Sequence, residues 1–168
     1  MKDPADALRQ EMLALLPRLR RFARSLAGNP ADADDLVQDT VERALKRLST
    51  FEKGTRLDSW MYRIAQNLWI DRRRAAKTRG DAAGDAELEH VAGPGGEAAA
   101  EAHIAVGRLG AALAALPDEQ RAAVSLVLIE GLSYRDASSV LGVPQGTLTS
   151  RLARGRAALA LAVLGHAT

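Results

Sequence analysis

The chain has 168 residues, of which 47% are apolar and only 4% aromatic, and its formal net charge is +2. Its length allows one domain or two small ones, and its richness in Ala and Leu favours helices. Because it has no cysteine, disulfides, zinc thiolates and thiol sensing are excluded. No apolar run approaches the roughly 18 residues of a membrane span, and the polar N-terminus is unlike a secretory signal. We therefore expect a cytoplasmic protein without direct membrane insertion.

The first half of the chain is predicted to form three helices. Apolar residues at helical spacing predict the first helix over Pro4–Ala27, with a kink or a break at Pro17. The string Gly28-Asn29-Pro30 is typical of a helix stop followed by a capped start. The second helix should then run to about residue 48 and bury Leu45 among its apolar residues. After a loop, the third should begin near residue 58 with Trp60 facing inward.

Charge is unevenly distributed along the sequence. Residues 32–42 hold five acidic and no basic residues, whereas residues 71–79 hold five basic residues and one acidic residue. Such segregation suggests surfaces with different partners. Residues 78–102 are rich in Gly, Ala and acid, with little that could form a core, which predicts a flexible acidic linker between domains at 1–77 and 103–168.

The segment Gly131–Leu159 has the pattern of a helix-turn-helix. Ser133 can cap a short helix, Gly142 suits the turn, and Pro144 suits the start of a second helix. The second helix should bury one face that includes Ala153 and present hydroxyl and guanidinium groups on the other. The arginines alone could form a solvated face, but their combination with the cap, turn and proline favours reading of the DNA major groove.

Four strings together resemble one family. They are DADDLVQDTVERAL (32–45), LDSWMYRIAQNLWIDRRR (57–74), LAALPDEQRAAVSLVLIEGLSY (113–134) and GVPQGTLTSRLARGRAAL (142–159). In this order and spacing the chain resembles the extracytoplasmic-function (ECF) sigma factors of bacterial RNA polymerase. The resemblance implies an all-α fold with sigma domain two and sigma domain four. It also implies core polymerase, promoter DNA and an anti-sigma factor as partners, with the acidic linker imitating nucleic acid inside the polymerase as a further hypothesis.

The resemblance assigns contact residues to three surfaces. Those expected to bind core polymerase are Asp35, Gln38, Asp39, Glu42 and Arg43. Those expected to bind the minus-ten element are Phe51, Lys53, Arg56, Asn67, Arg72, Arg73, Arg74 and Lys77. Those expected to bind the minus-thirty-five element are Ser133, Tyr134, Arg135, Thr147, Thr149, Ser150, Arg151, Arg154 and Arg156.

Several of these residues have an alternative structural interpretation. The acids of residues 35–42 could form a simple solvated helix face, and Phe51 could be a core aromatic that closes its loop. Asn67 could be a helix-terminal hydrogen bonder, and Arg151 could be partly structural. Thr149 stands where Lys or Arg is common in the family, and a hydroxyl cannot make a bidentate contact to guanine, so the base preference stays open.

Two other functions are compatible with parts of the sequence. An ordinary helix-turn-helix regulator accounts for the C-terminal segment, and a sigma-mimicking decoy that binds an anti-sigma factor accounts for the resemblance without DNA contacts. Neither enzyme activity nor a cofactor is predicted, because His90, His103 and His166 are isolated and no phosphate-binding loop or activated nucleophile is recognisable. The acidic cluster is not predicted to be a metal site.

Overall fold

The computed structural model of the chain describes residues 3–81 and 96–165, and all regular secondary structure in those ranges is helical. In the first half the helices are α1 (Pro4–Ala27), α2 (Pro30–Lys46), a 3-10 turn (Leu48–Thr50) and α3 (Leu57–Arg79). In the second half they are α4 (Glu97–Ala115), α5 (Asp118–Val124), a π-helical turn (Ser125–Ile129), α6 (Tyr134–Leu141) and α7 (Gln145–Leu164). The predicted all-α fold is confirmed. No helix in these ranges has the length and apolar character needed to cross a membrane.

Local capping explains where the first helices start and stop. The side chain of Asn29 accepts a hydrogen bond from the N–H of Asp32 at 2.9 Å, and Pro30 occupies the first turn of α2, as predicted. Of the kink or break predicted at Pro17, the break is wrong, since α1 is continuous through that exposed residue. Met12 and Phe22, on either side of the proline, are buried in the same core and hold the two parts of the helix together.

Other predicted features differ from the structure by small shifts along a helix. Leu45 is 46% exposed rather than buried, because the buried stripe of α2 passes through its neighbour Ala44 and the next residue points about 100° away. Ala153 is likewise exposed, between the buried residues Leu152 and Gly155. Because α4 begins at Glu97, the last six residues of the predicted linker are helical. Residues 82–95, which contain three of its six acids, lie outside the described residues.

The two halves of the chain share one hydrophobic core. Phe22 and Tyr62 of the first half belong to the same buried cluster as Leu126 and Val140 of the second. Helix α3 packs against α6, and α1 packs against α5 and the π-helical turn. A second, smaller cluster lies within the second half, where Leu152 of α7 is buried with Val124 of α5 and with Leu116, which follows α4. The chain therefore adopts a closed arrangement with the helix-turn-helix beside α3.

Candidate DNA- and polymerase-binding surfaces

The predicted polymerase-binding residues form one exposed face of α2. They lie opposite the buried stripe of Leu36, Val37 and Ala44, which anchors α2 against the rest of the first half. The exposed residues of this face are Asp35, Gln38, Asp39, Glu42 and Arg43. Their carboxylates give a negative surface on a rigid helix. Within residues 3–81 and 96–165, no group of three or more His, Asp or Glu side chains could hold a metal ion.

Two acids of this α2 face already form ion pairs. Glu42 bonds the Lys46 ammonium at 2.7 Å one turn further on, an exposed pair of low energy. Asp39 bonds the guanidinium of Arg72 from α3, which also points at the carbonyl of Asp32. Arg72 therefore links the predicted polymerase surface to the predicted minus-ten surface rather than standing free for a phosphate.

The loop that follows the 3-10 turn is closed by an aromatic pair. The ring of Phe51 is half-buried and packs against Trp60 with ring centroids 5.2 Å apart and an interplanar angle of 60°. Both rings are partly buried and pack against the main core. This agrees with a loop-closing role for Phe51 and with a packing role for Trp60. Lys53, at the tip of the same loop, is exposed.

Asn67 lines a small cavity between α2 and α3 that is rich in arginine. The cavity measures about 270 Å³, and its walls are Arg43, Arg47, Trp60, Arg63, Ile64 and Asn67. Three guanidinium groups, an amide and an indole can together bind an anion and a planar ring. The sequence analysis missed Arg47 and Arg63. The signal for them is the spacing of four residues that puts Arg43 with Arg47, and Arg63 with Asn67, on facing helix surfaces.

Arg56 connects the two halves of the chain. Its guanidinium bonds Asp58 at 2.7 Å and Asp136 of α6 at 3.1 Å. Burial would by itself raise the pKa of Asp58, but hydrogen bonds from Arg56 and from the Ser59 N–H outweigh it and hold that pKa below its usual range. The loop therefore presents an arginine whose charge is already shared between two carboxylates.

The basic run at the end of α3 is only partly available. Arg73 bonds Asp118 of α5 at 2.9 Å, and its guanidinium also lies 5.9 Å from the centroid of the Trp69 ring. Arg74 and Lys77 are exposed at the edge of a cavity that lies between α3 and α5. The run therefore offers Arg74 and Lys77 to solvent, while Arg73, like Arg72, is bonded to a carboxylate.

The helix-turn-helix has the local geometry that the sequence predicts. The hydroxyl of Ser133 accepts a hydrogen bond from the Asp136 N–H at 3.0 Å and caps α6, on which Tyr134 and Arg135 are exposed. Gly142 has a φ of +64°, a left-handed conformation that glycine adopts without strain. Pro144 then immediately precedes α7. The predicted supporting and recognition helices are thus α6 and α7.

The predicted DNA-reading residues of α7 differ in availability. The hydroxyls of Thr149 and Ser150 donate to carbonyls of their own helix, at 2.8 Å to Gln145 and 3.0 Å to Thr147, and Thr147 is half-buried. The side chain of Arg151 is 21% exposed and pairs with Glu119 at 3.2 Å, which agrees with its structural interpretation. The exposed cations of this helix are Arg154 and Arg156.

Sequence analysis gave no sign of the ionic centre around Glu130. The side chain of this residue is 0% exposed, and its carboxylate receives two hydrogen bonds from Arg21, at 2.7 and 2.8 Å, and one from the Tyr62 hydroxyl at 2.8 Å. Arg18 donates to the Glu130 carbonyl at 3.2 Å. Burial, together with the hydrogen bond to Glu130, raises the pKa of Tyr62. This centre joins α1 and α3 to the second half.

Both halves of the chain are similar to regions of Sigma-70 proteins. The profile of Sigma-70 region 2 matches residues 12–79, and that of Sigma-70 region 4 matches residues 107–159. The ECF RNA polymerase sigma factor EcfG of Rhodopseudomonas palustris is 41% identical over 92% of this chain and 83% of its own length. SigM of Mycobacterium tuberculosis is 42% identical over 85% and 70%. The crystal structure of the sigma factor RpoE with the anti-sigma factor NepR from Bartonella quintana has a TM-score of 0.76 at 32% identity, over 92% of this chain and 95% of that one.

Proposed function

Because the chain belongs to the ECF sigma factors of bacterial RNA polymerase, we propose that it binds core polymerase and directs it to start transcription at specific promoters. One observation carries this proposal, namely that a helix-turn-helix and an exposed acidic helix face occur on opposite halves of one chain. A regulator that binds only duplex DNA needs the helix-turn-helix but has no use for the acidic face of α2.

The exposed face of α2 is the proposed docking surface for polymerase. The helix is fixed by its buried stripe, so a partner meets Asp35, Gln38 and Glu42 on a rigid support. Charged surface groups speed association and set the orientation of a complex more than they add affinity. The positive counterpart on the polymerase would also compete with Lys46 and Arg72 for the two acids that these bases now hold.

The arginine-lined cavity beside Asn67 is the proposed site for an unstacked base of the minus-ten element. Separating a base from its stack costs a few kcal/mol, so a protein that traps it must return stacking or hydrogen bonds. Asn67 offers an amide for the base edge, while Arg47 and Arg63 can bind the flanking phosphates. Lys53, Arg74 and Lys77 extend this positive surface for the backbone of the displaced strand. Arg56 and Arg73 belong to the same proposed surface, although carboxylates of the second half now bond them.

The proposed minus-thirty-five contacts are divided between α6 and α7. In this motif the first helix crosses the DNA backbone, which suits the exposed N-terminal residues Tyr134 and Arg135 of α6. Arg154 and Arg156 are the exposed cations of α7 and can reach phosphates or base edges. The hydroxyl oxygen of Thr149 retains a lone pair that can accept from a base, although its proton is given to Gln145.

An anti-sigma factor is the third proposed partner, beside core polymerase and promoter DNA. RpoE, which aligns with both halves of this chain, was crystallised with an anti-sigma factor, and we propose that this chain is also bound by one. We further propose that the chain acts in the cytoplasm and that polymerase supplies the catalysis.

A reconstitution tests the proposal. Purified chain is mixed with core polymerase, run on gel filtration, and then used for run-off transcription on fragmented genomic DNA. We expect co-elution with core and discrete new start sites. The triple variant Asp35→Ala/Gln38→Ala/Glu42→Ala should lose co-elution, whereas Glu97→Gln/Glu101→Gln, which changes exposed acids on α4, should keep it. DNA binding without core association would favour the simple regulator, and binding of neither would favour the decoy.

A further inference from the structure

Two acidic side chains of the second half form ion pairs with arginines of the proposed minus-ten surface. Asp136 of α6 bonds Arg56 at 3.1 Å, and Asp118 of α5 bonds Arg73 at 2.9 Å. Both contacts are charge-assisted hydrogen bonds between groups that are distant in sequence. A carboxylate on a guanidinium occupies the position that a DNA phosphate would take, because both anions are bound by the same planar fork of donors.

The Glu130 centre fixes the two halves in this arrangement. Its buried carboxylate is bonded by Arg21 and Tyr62, both from the first half, so these charge-assisted hydrogen bonds exist only while the halves stay together. Arg121 of α5 adds a hydrogen bond to the Leu26 carbonyl at 2.8 Å. Leu126 and Val140 also bury apolar surface against the first half, so separating the halves would break the hydrogen bonds of Glu130 and expose part of the core.

The closed arrangement also puts the two DNA surfaces on one cleft. The cleft measures about 790 Å³, and its walls carry Arg56 of the first half on one side and Ser133 and Arg135, from the start of the helix-turn-helix, on the other. The two promoter elements are centred about 25 base pairs apart, which is about 85 Å of B-form DNA. Arg56 and Arg135, which face each other across this cleft, cannot contact elements that far apart at the same time. Promoter recognition therefore requires the halves to separate.

We propose that the free chain masks its own minus-ten surface, with Asp118 and Asp136 in the place of DNA phosphates and the Glu130 centre as the latch. The inference rests on the proposed function, since it takes Arg56 and Arg73 as DNA contacts. Core polymerase opens the chain by binding the separated halves more tightly than the closed form. An anti-sigma factor would then stabilise a closed arrangement that the chain already adopts, rather than create it.

The first experiment measures release of the masked arginines in the full chain. The variant Asp118→Asn/Asp136→Asn keeps side-chain volume but removes both charges, and Glu97→Gln/Glu101→Gln makes the same charge change on exposed acids of α4. Binding of a fluorescein-labelled 12-nucleotide oligothymidine strand is measured by anisotropy. We expect affinity to rise about three- to ten-fold more in the first variant than in the second, as for two released exposed ion pairs. Equal changes in the two variants would overturn the masking.

The second experiment locks the halves together. Glu52 and Ser139 lie on opposite walls of the cleft, and the chain has no native cysteine, so Glu52→Cys/Ser139→Cys can be joined by a cleavable bis-maleimide that contains a disulfide. The locked chain should lose more than ten-fold in affinity for core polymerase and for the oligonucleotide. Dithiothreitol should restore both affinities. A locked chain that binds and initiates as well as the cleaved one would overturn self-masking while leaving the proposed function intact.

Failure of the proposed function has a different signature. The cleaved chain would then bind no core polymerase and start no transcription, even though the oligonucleotide assay showed that its arginines had been released. That result would overturn both proposals, whereas successful initiation by a locked chain would overturn only the second.

Discussion

The two cationic surfaces of this chain differ in how much of their charge is available. On the first half, Arg56, Arg72 and Arg73 are all bonded to carboxylates, two of which come from the other half. On α7, Arg151 is paired with Glu119, but Arg154 and Arg156 are exposed. The number of basic residues in a segment therefore does not indicate how many can bind DNA. Their availability depends on acids that are distant in the sequence.

The largest expected effect comes from removing the two arginines that bond Glu130. Separation of the halves would then free the arginines of the minus-ten surface and remove its difference from α7. The variant Arg18→Met/Arg21→Met leaves a fully buried carboxylate with only the Tyr62 hydroxyl. We expect it to lower the free energy of unfolding by about 3 kcal/mol, measured by urea denaturation. The control Arg9→Met removes an exposed pair with Asp6 and should cost under about 0.5 kcal/mol. A loss below about 1 kcal/mol in the double variant would contradict the latch.

Two glycines of α7 test how this helix is packed, without any change to the first half. A Cβ at Gly155 would lie 2.6 Å from Cγ2 of Val124, so Gly155→Ala must push α7 away from α5. We expect a loss of about 1–3 kcal/mol in unfolding free energy from this overpacking. At Gly146, by contrast, nothing lies within 4 Å of the added methyl group, and Gly146→Ala should be neutral or stabilising by about 0.5 kcal/mol. Equal effects would mean that α7 is not seated as described.

The availability of the α7 arginines can be compared directly by duplex binding. Arg154→Ala should weaken binding to promoter DNA by about 1 kcal/mol, or roughly five-fold, and reduce the salt dependence by about one phosphate contact. Arg151→Ala should weaken it less, because that guanidinium is held by Glu119. The measurement is a titration at several salt concentrations. A larger effect at Arg151 would reverse the assignment of roles on this helix.

The smallest effect concerns alkaline pH. Since burial and the bond to Glu130 raise the pKa of Tyr62, the folded chain keeps this proton where an unfolded tyrosine ionises. The stabilising contribution is thus complete below about pH 10, the usual tyrosine pKa, and declines as the pH rises above it. We expect Tyr62→Phe to make the loss of stability above pH 10 shallower, as measured by denaturation at stepped pH. An unchanged slope would show that Tyr62 ionises normally.

The parts of the fold that the sequence predicts are those set by local energy. The Asn29 and Ser133 caps and the Gly142 turn depend on neighbours within four residues, and all three have the predicted geometry. The break predicted at Pro17 failed because packing on both sides of the proline outweighed its local cost. The predicted burial of Leu45 was wrong because periodicity alone locates the edge of a buried helix face only to within about one residue.

The candidate site was less predictable than the fold. The positions of the α2 face and of Arg154 follow from helical spacing, so their exposure could be anticipated. The Glu130 centre could not, because its partner Arg21 is 109 residues away and nothing local marks either side chain. Arg47 and Arg63 lie between these cases, since their spacing is visible but their shared cavity depends on how α2 and α3 cross.

The π-helical turn at Ser125–Ile129 has an evolutionary consequence. Such a turn holds one residue more than an α-helical turn, and Glu130 follows it directly. The Glu130 N–H closes the turn by donating to the Ser125 carbonyl at 2.9 Å, so deleting one residue of the turn would change the backbone that places the buried carboxylate. Loss of a single codon would then weaken the contacts of Glu130 with the first half, while every DNA-reading residue remained identical.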